Sequence, residues 1–174
     1  IDFISDLTCP WCAIGLRTLE QAIVRVAASV PVTLHLQPFE LNPGLPTEGE
    51  AIAAYAARKY GVSATELAER QTLIRRRARE LGMEFKLRTH VYNTFDAHRL
   101  LHWAGLQGRQ LELKHALLRA YHEHGRNPAA PEVLLDAVNQ VTNSPTTFGG
   151  LPQDQHAPKR AIMLPDESFS SYFL

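Results

Sequence analysis

A short, mostly apolar run, Ile1-Asp2-Phe3-Ile4, gives way to Cys9-Pro10-Trp11-Cys12, and a helical repeat of apolar residues starts immediately afterwards. That order constrains the fold more than any other feature of the chain. Ile1 to Ser5 reads as a buried strand. Ile14, Leu16, Leu19, Ile23 and Val26 recur at helical spacing, which predicts a helix from about Trp11 to Ala28. Val32 to Phe39 then alternates apolar and polar residues, the period of a half-covered strand. Strand, helix, strand reads as a βαβ unit with a parallel pair. The cysteines fall at the carboxyl end of the first strand, where open α/β sheets place their sites.

Position also assigns the cysteines a chemistry. A helix N-terminus offers free N–H groups and the positive end of its dipole, both of which favour a thiolate. The thiolate is the attacking species in disulfide exchange, and two intervening residues leave the second thiol within reach to resolve a mixed disulfide. Three other readings compete. A zinc site would need further ligands, but the chain has two cysteines in all and no histidine pair near residues 9–12. Inert buried cysteines would not need the strand–turn–helix setting. A structural disulfide here would close a very short loop and so constrain the unfolded chain little. The residues favour a dithiol/disulfide centre.

After Phe39 the pattern changes. Leu41-Asn42-Pro43-Gly44-Leu45-Pro46 is a proline-rich loop, and about five helical segments follow. Ala51 to Tyr60 stops at Gly61. Ser63-Ala64-Thr65-Glu66 offers capping signals for a helix to about Leu81, with Gly82 as its stop. Asn93-Thr94 precedes a third segment ending near Gly105. Leu111, His115, Leu118 and Tyr121 mark a fourth, and Pro131 opens a fifth. The stretch from Val141 is broken by prolines and glycines, with Arg160 to Leu164 as its strand candidate. The expected division is therefore 1–40, an α/β part carrying the cysteines; 41–140, an inserted helical domain; and 141–174, the C-terminal return to the α/β part.

Eighteen basic residues balance eighteen acidic ones, so no global field points to nucleic acid or an anionic membrane. No apolar stretch approaches the roughly 20 residues that span a bilayer. No signal-peptide pattern precedes the first strand, and both cysteines sit in one site; a cytoplasmic setting is the expectation. The Arg75-Arg76-Arg77-Ala78-Arg79 run reads as a solvated helix face. His98 and His102 lie at i, i+4, a spacing that can hold a metal, but no glutamate lies between them and no metal is expected. His122-Glu123-His124 reads as a solvated turn. Phe95, Trp103 and Tyr121 read as core of the helical part. Asp6 is a candidate for fixing the turn or accepting a proton.

The segment Ser5-Asp6-Leu7-Thr8-Cys9-Pro10-Trp11-Cys12-Ala13-Ile14-Gly15 resembles the active-site segment of the DsbA-like thioredoxin superfamily, in its FrnE-like branch. The likeness continues through Gln37 to Pro43, Asn93 to Leu101 and Leu117 to Tyr121. It implies an α/β thioredoxin-like fold with a large inserted all-helical domain. It also implies a protein disulfide oxidoreductase with Cys9 as exposed nucleophile, Cys12 as buried resolving thiol, and Pro10 and Trp11 tuning the potential. The family carries a substrate-binding cis-proline opposite the cysteines, for which Pro145, preceded by Ser144, is the candidate. Ser144 stands where the family usually has an apolar residue. The expected partners are protein or peptide thiols and disulfides, acted on by a monomer or homodimer. No bound cofactor is expected, with glutathione as a candidate redox partner. The kappa-class glutathione transferases and hydroxychromene carboxylate isomerases share this architecture, but they usually carry serine where this chain has Cys9. A chaperone role using an apolar groove is a third reading.

Overall fold

The structure is a computed structural model, and it describes residues 1–142. Strand β1 (Asp2–Ser5) pairs in parallel with β2 (His35–Pro38), Asp2 facing His35 and Ser5 facing Pro38. Helix α1 (Pro10–Val26) connects them. The βαβ unit expected from the sequence is thus present, but neither strand is as drawn from the pattern. Ile4 is 64% exposed and only Ser5 of β1 is buried, so the strand is half-covered among the described residues rather than buried. The second strand is shorter than 32–39 because its partner offers only four residues.

Helix α1 starts where expected for chemical reasons. Pro10 occupies the first helical position, where its missing N–H costs nothing and its fixed φ suits the helix. Ala13 and Leu16 on its inner face are almost fully buried. They join one core with Leu100, Leu113, Leu117, Leu134 and Val138 of the later helices. The cysteine turn is therefore seated on the same apolar core as the helical part.

Five helices follow β2, as the periodicity predicts: α2 (Ile52–Tyr60), α3 (Ala64–Glu80), α4 (Phe95–Leu106), α5 (Gln110–Leu118) and α6 (Pro131–Thr142). Ser63 and Glu66 form the expected capping box on α3, the Glu66 N–H reaching Ser63 Oγ at 3.3 Å and the Ser63 N–H reaching Glu66 Oε2 at 2.8 Å. The arginine run on α3 is the solvated face read from the sequence, with Arg77 paired to Glu80 and Arg79 to Glu84. A π-helical turn, Arg119–Glu123, prolongs α5 and turns its last residues inward.

Two features escaped the pattern. Strands β3 (Glu50–Ala51) and β4 (His90–Val91) pair antiparallel, and two residues carry no readable period. Gly49, at φ +81°, leads into β3; a Cβ there would sit 2.6 Å from the Val91 carbonyl oxygen, so both backbone angle and space require glycine.

Candidate active site

Cys9 is the N-cap of α1, with extended backbone, and its carbonyl accepts the Cys12 N–H at 3.1 Å and the Ala13 N–H at 3.3 Å. Both thiols are free and both are partly exposed. Cys12 is therefore not the fully buried thiol that the resemblance implies; it lies in the first turn of α1, level with its partner. The two titrate in opposite directions. The Cys12 thiol donates to Cys9, and this bond, with the N–H groups of Cys12 and Trp11, outweighs burial and brings Cys9 down to about 6. The same bond holds the Cys12 proton and, with burial, pushes that thiol far up. One proton is thus shared by the pair and placed on Cys12, which is the distribution an attacking Cys9 needs.

Behind the pair lies a buried polar cluster. Asp6, 1% exposed, opens the turn after β1 and accepts the Thr8 N–H at 3.2 Å and the Leu41 N–H at 2.7 Å. It ties the cysteine turn to the loop after β2, so the turn-fixing reading holds. Burial alone would raise its pKa, but the His98 ring and the two N–H groups hold it below the usual carboxylate range. His98, also 1% exposed, places Nε2 3.7 Å from Asp6 Oδ1, an electrostatic approach just beyond hydrogen-bond reach. Burial drives the His98 pKa down, so the ring is neutral. Lys114 of α5 is 2% exposed and burial lowers it to about 8, against the pull of Asp6, Cys12 and Cys9.

His122 corrects the sequence reading outright. It is 1% exposed, with Nε2 3.0 Å from the Leu7 carbonyl oxygen and its ring stacked on Phe85 at 4.7 Å. The π-helical turn is the reason, since it carries the residue inward from a helix end that the periodicity leaves in solvent. Burial brings its pKa to about 3. Tyr121 is core as expected and Trp103 packs against the core, whereas Phe95 is 39% exposed beneath the Arg99 guanidinium.

A cleft of about 270 Å³ opens beside Cys9. Trp11, half exposed, and Pro10 form its near wall. Ile52 and Tyr55 of α2, with Leu67 and Ile74 of α3, form the far one, and Arg70 and Arg88 also line it. The Tyr55 hydroxyl donates to Asn42 Oδ1 at 2.9 Å, which anchors α2 to the loop after β2. Sequence reasoning missed the arginines and Lys114. Lys114 left a signal: it lies three, four and seven residues before Leu117, Leu118 and Tyr121, so it shares their buried face. The candidate substrate residues Ser144 and Pro145 lie outside the described residues.

A parallel βαβ unit bearing a dithiol at the N-terminus of its helix, with helices inserted after the second strand, defines a thioredoxin-like fold. A family model described as the DSBA-like thioredoxin domain matches residues 1–160, and the chain belongs to that family. Among solved structures, it is similar to a probable DsbA oxidoreductase from Streptomyces coelicolor, with a TM-score of 0.71 and 26% identity over 81% of this chain and 62% of that one. The chain thus spans 62% of the length of that relative's chain. No curated protein matches.

Proposed function

We propose that the chain is a thiol–disulfide oxidoreductase in which Cys9 is the nucleophile and Cys12 the resolving thiol, acting on protein or peptide thiols. The observation that carries this reading is the dithiol at the N-terminus of α1, Cys9 as N-cap and Cys12 in the first turn. Cys9, lowered to about 6, is there mostly thiolate at neutral pH while Cys12 keeps its hydrogen. Cys9 sulfur attacks one sulfur of a substrate disulfide, forming a mixed disulfide and expelling the other sulfur as thiolate. Cys12, losing its proton, then attacks Cys9 sulfur, releases the second substrate thiolate and leaves a Cys9–Cys12 disulfide. The reverse sequence donates that disulfide to a substrate dithiol. A stabilised Cys9 thiolate stabilises the reduced protein, which makes the disulfide form the stronger oxidant, and donation is the direction we assign.

The finer placement, in the FrnE-like branch, rests on the likeness of Ser5 to Gly15, Gln37 to Pro43, Asn93 to Leu101 and Leu117 to Tyr121; Pro10 and Trp11 are its assigned tuning residues. In this reading residues 1–40 present the dithiol and 41–140 wall it. Equilibration of the Cys9–Cys12 couple against glutathione tests the assignment. A potential more oxidising than about −180 mV is expected, with loss of all exchange in Cys9→Ser. A potential near that of reductants, about −270 mV, would reverse the direction. Glutathione conjugation that survives Cys9→Ser would overturn the redox reading in favour of a transferase.

A further inference from the structure

The cleft beside Cys9 has apolar walls and a charge of one sign. Among the described residues that line it, Arg70 and Arg88 are charged side chains and no carboxylate is present. Neither arginine forms an ion pair among the described residues. Glu66, one turn before Arg70, feels the Arg70 charge but keeps its hydrogen bonds with Ser63, whose N–H and hydroxyl reach its carboxylate at 2.8 and 2.7 Å. Arg88 is fixed in place through its backbone N–H, which donates to Gln71 Oε1 at 2.9 Å.

We propose that this cleft selects substrates in which the reacting cysteine is followed closely by an apolar residue and a carboxylate, with Ile52, Leu67 and Ile74 receiving the apolar side chain and Arg70 and Arg88 the carboxylate. The proposal rests on the oxidoreductase reading and names the substrate class for it. Apolar walls gain by releasing water to a matching side chain. Guanidinium groups take carboxylates in a fork geometry that lysine lacks.

The redox state also changes the field in this cleft. In the disulfide form the cleft lining carries the two arginine charges without a thiolate. In the reduced form the Cys9 thiolate brings a negative charge to the same cleft, at about 6 for its midpoint. An acidic peptide is therefore held more tightly by the oxidised protein, which needs its thiol, than by the reduced product. By linkage, the same peptide shifts the couple toward the oxidised form.

The test uses the full chain, oxidised to its Cys9–Cys12 disulfide, and three synthetic peptides that carry Cys-Leu-Glu, Cys-Leu-Gln or Cys-Leu-Lys between glycines. Two peptide thiols reduce one protein disulfide and leave as a peptide disulfide, and the rate is followed at two salt concentrations. The glutamate peptide is expected to react about fivefold faster than the glutamine peptide, a ratio that shrinks as salt rises. The lysine peptide is expected to be slowest. In Arg70→Gln, on the exposed face of α3, the glutamate-to-glutamine ratio is expected to fall toward one, and further in Arg70→Gln/Arg88→Gln. Equal rates for all three peptides, or a ratio unchanged in the double variant, overturn the pocket and leave the oxidoreductase standing. Loss of exchange with every peptide in the unaltered protein overturns both.

Discussion

Replacing Cys12 by alanine tests the shared proton directly. The Cys12 thiol is the largest single influence lowering Cys9, and the Cys12 and Trp11 N–H groups remain when it is removed. The Cys9 midpoint, about 6 in the intact pair, is expected to rise by one unit or more. At pH 6 that takes the thiolate share from about one half to below about one tenth, a roughly fivefold loss. Alkylation rates would show less of it, because a thiolate of higher pKa is intrinsically more nucleophilic, about threefold per unit. The assay is therefore the ultraviolet absorbance of the thiolate as a function of pH, which counts ions rather than reactivity. A midpoint that stays at about 6 in Cys12→Ala would refute the argument and assign the acidity to the helix N-terminus alone.

The pair also sets how stability depends on pH. Cys9 is lowered on folding and Cys12 raised, so the reduced protein should gain stability relative to the disulfide form as pH climbs from about 6 to about 9, and lose it again above 9; thermal melts of both forms across that range would show the rise and fall. Asp6→Asn removes a buried charge that opposes the Cys9 thiolate, so Cys9 should become still more acidic. The same change weakens one buried and one half-buried hydrogen bond and should cost about 1–3 kcal/mol in denaturant unfolding. Lys114→Met takes a cation away from both cysteines and should raise the Cys12 thiol further, so that resolution of the mixed disulfide slows in single-turnover traces. Ser63→Ala breaks the capping box on α3 and should cost about 1 kcal/mol with no change in Cys9 titration.

The sequence made the βαβ unit and the helical run legible because both rest on periodicity and punctuation. Pro10, Gly61, the Ser63–Glu66 box and Pro131 each sit at a boundary that the structure reproduces. The cysteine turn was legible for the same reason: its position in the order of elements carries the information. What was not legible depends on tertiary closure. His122 reads as solvated because it lies near a helix end, yet a π-helical turn, which has no sequence signature, puts it against Phe85 and Leu7. Arg70 and Arg88 are 18 positions apart and meet one cleft only because the chain after α3 doubles back along it, with the Arg88 N–H bonded to Gln71. Lys114 drew no reading from the sequence, although its spacing to Leu117 and Tyr121 places it on the buried face of α5.

The small β3–β4 pair fixes how the cleft meets its occupants. The chain leaves toward α2 and returns after α3 through one clasp, Glu50–Ala51 against His90–Val91, with the Ile52 N–H bonded to the Thr89 carbonyl at 2.8 Å. Farther along the same wall, Ile74 and Ala78 of α3 are built into the main core. A wall pinned at both places cannot swing to follow what enters. Little ordering entropy is then spent on binding, but the opening has a set width. If the cleft receives the residue beside the reacting cysteine as proposed, such a wall should select by bulk, a prediction read by comparing peptides with leucine and tryptophan at that position.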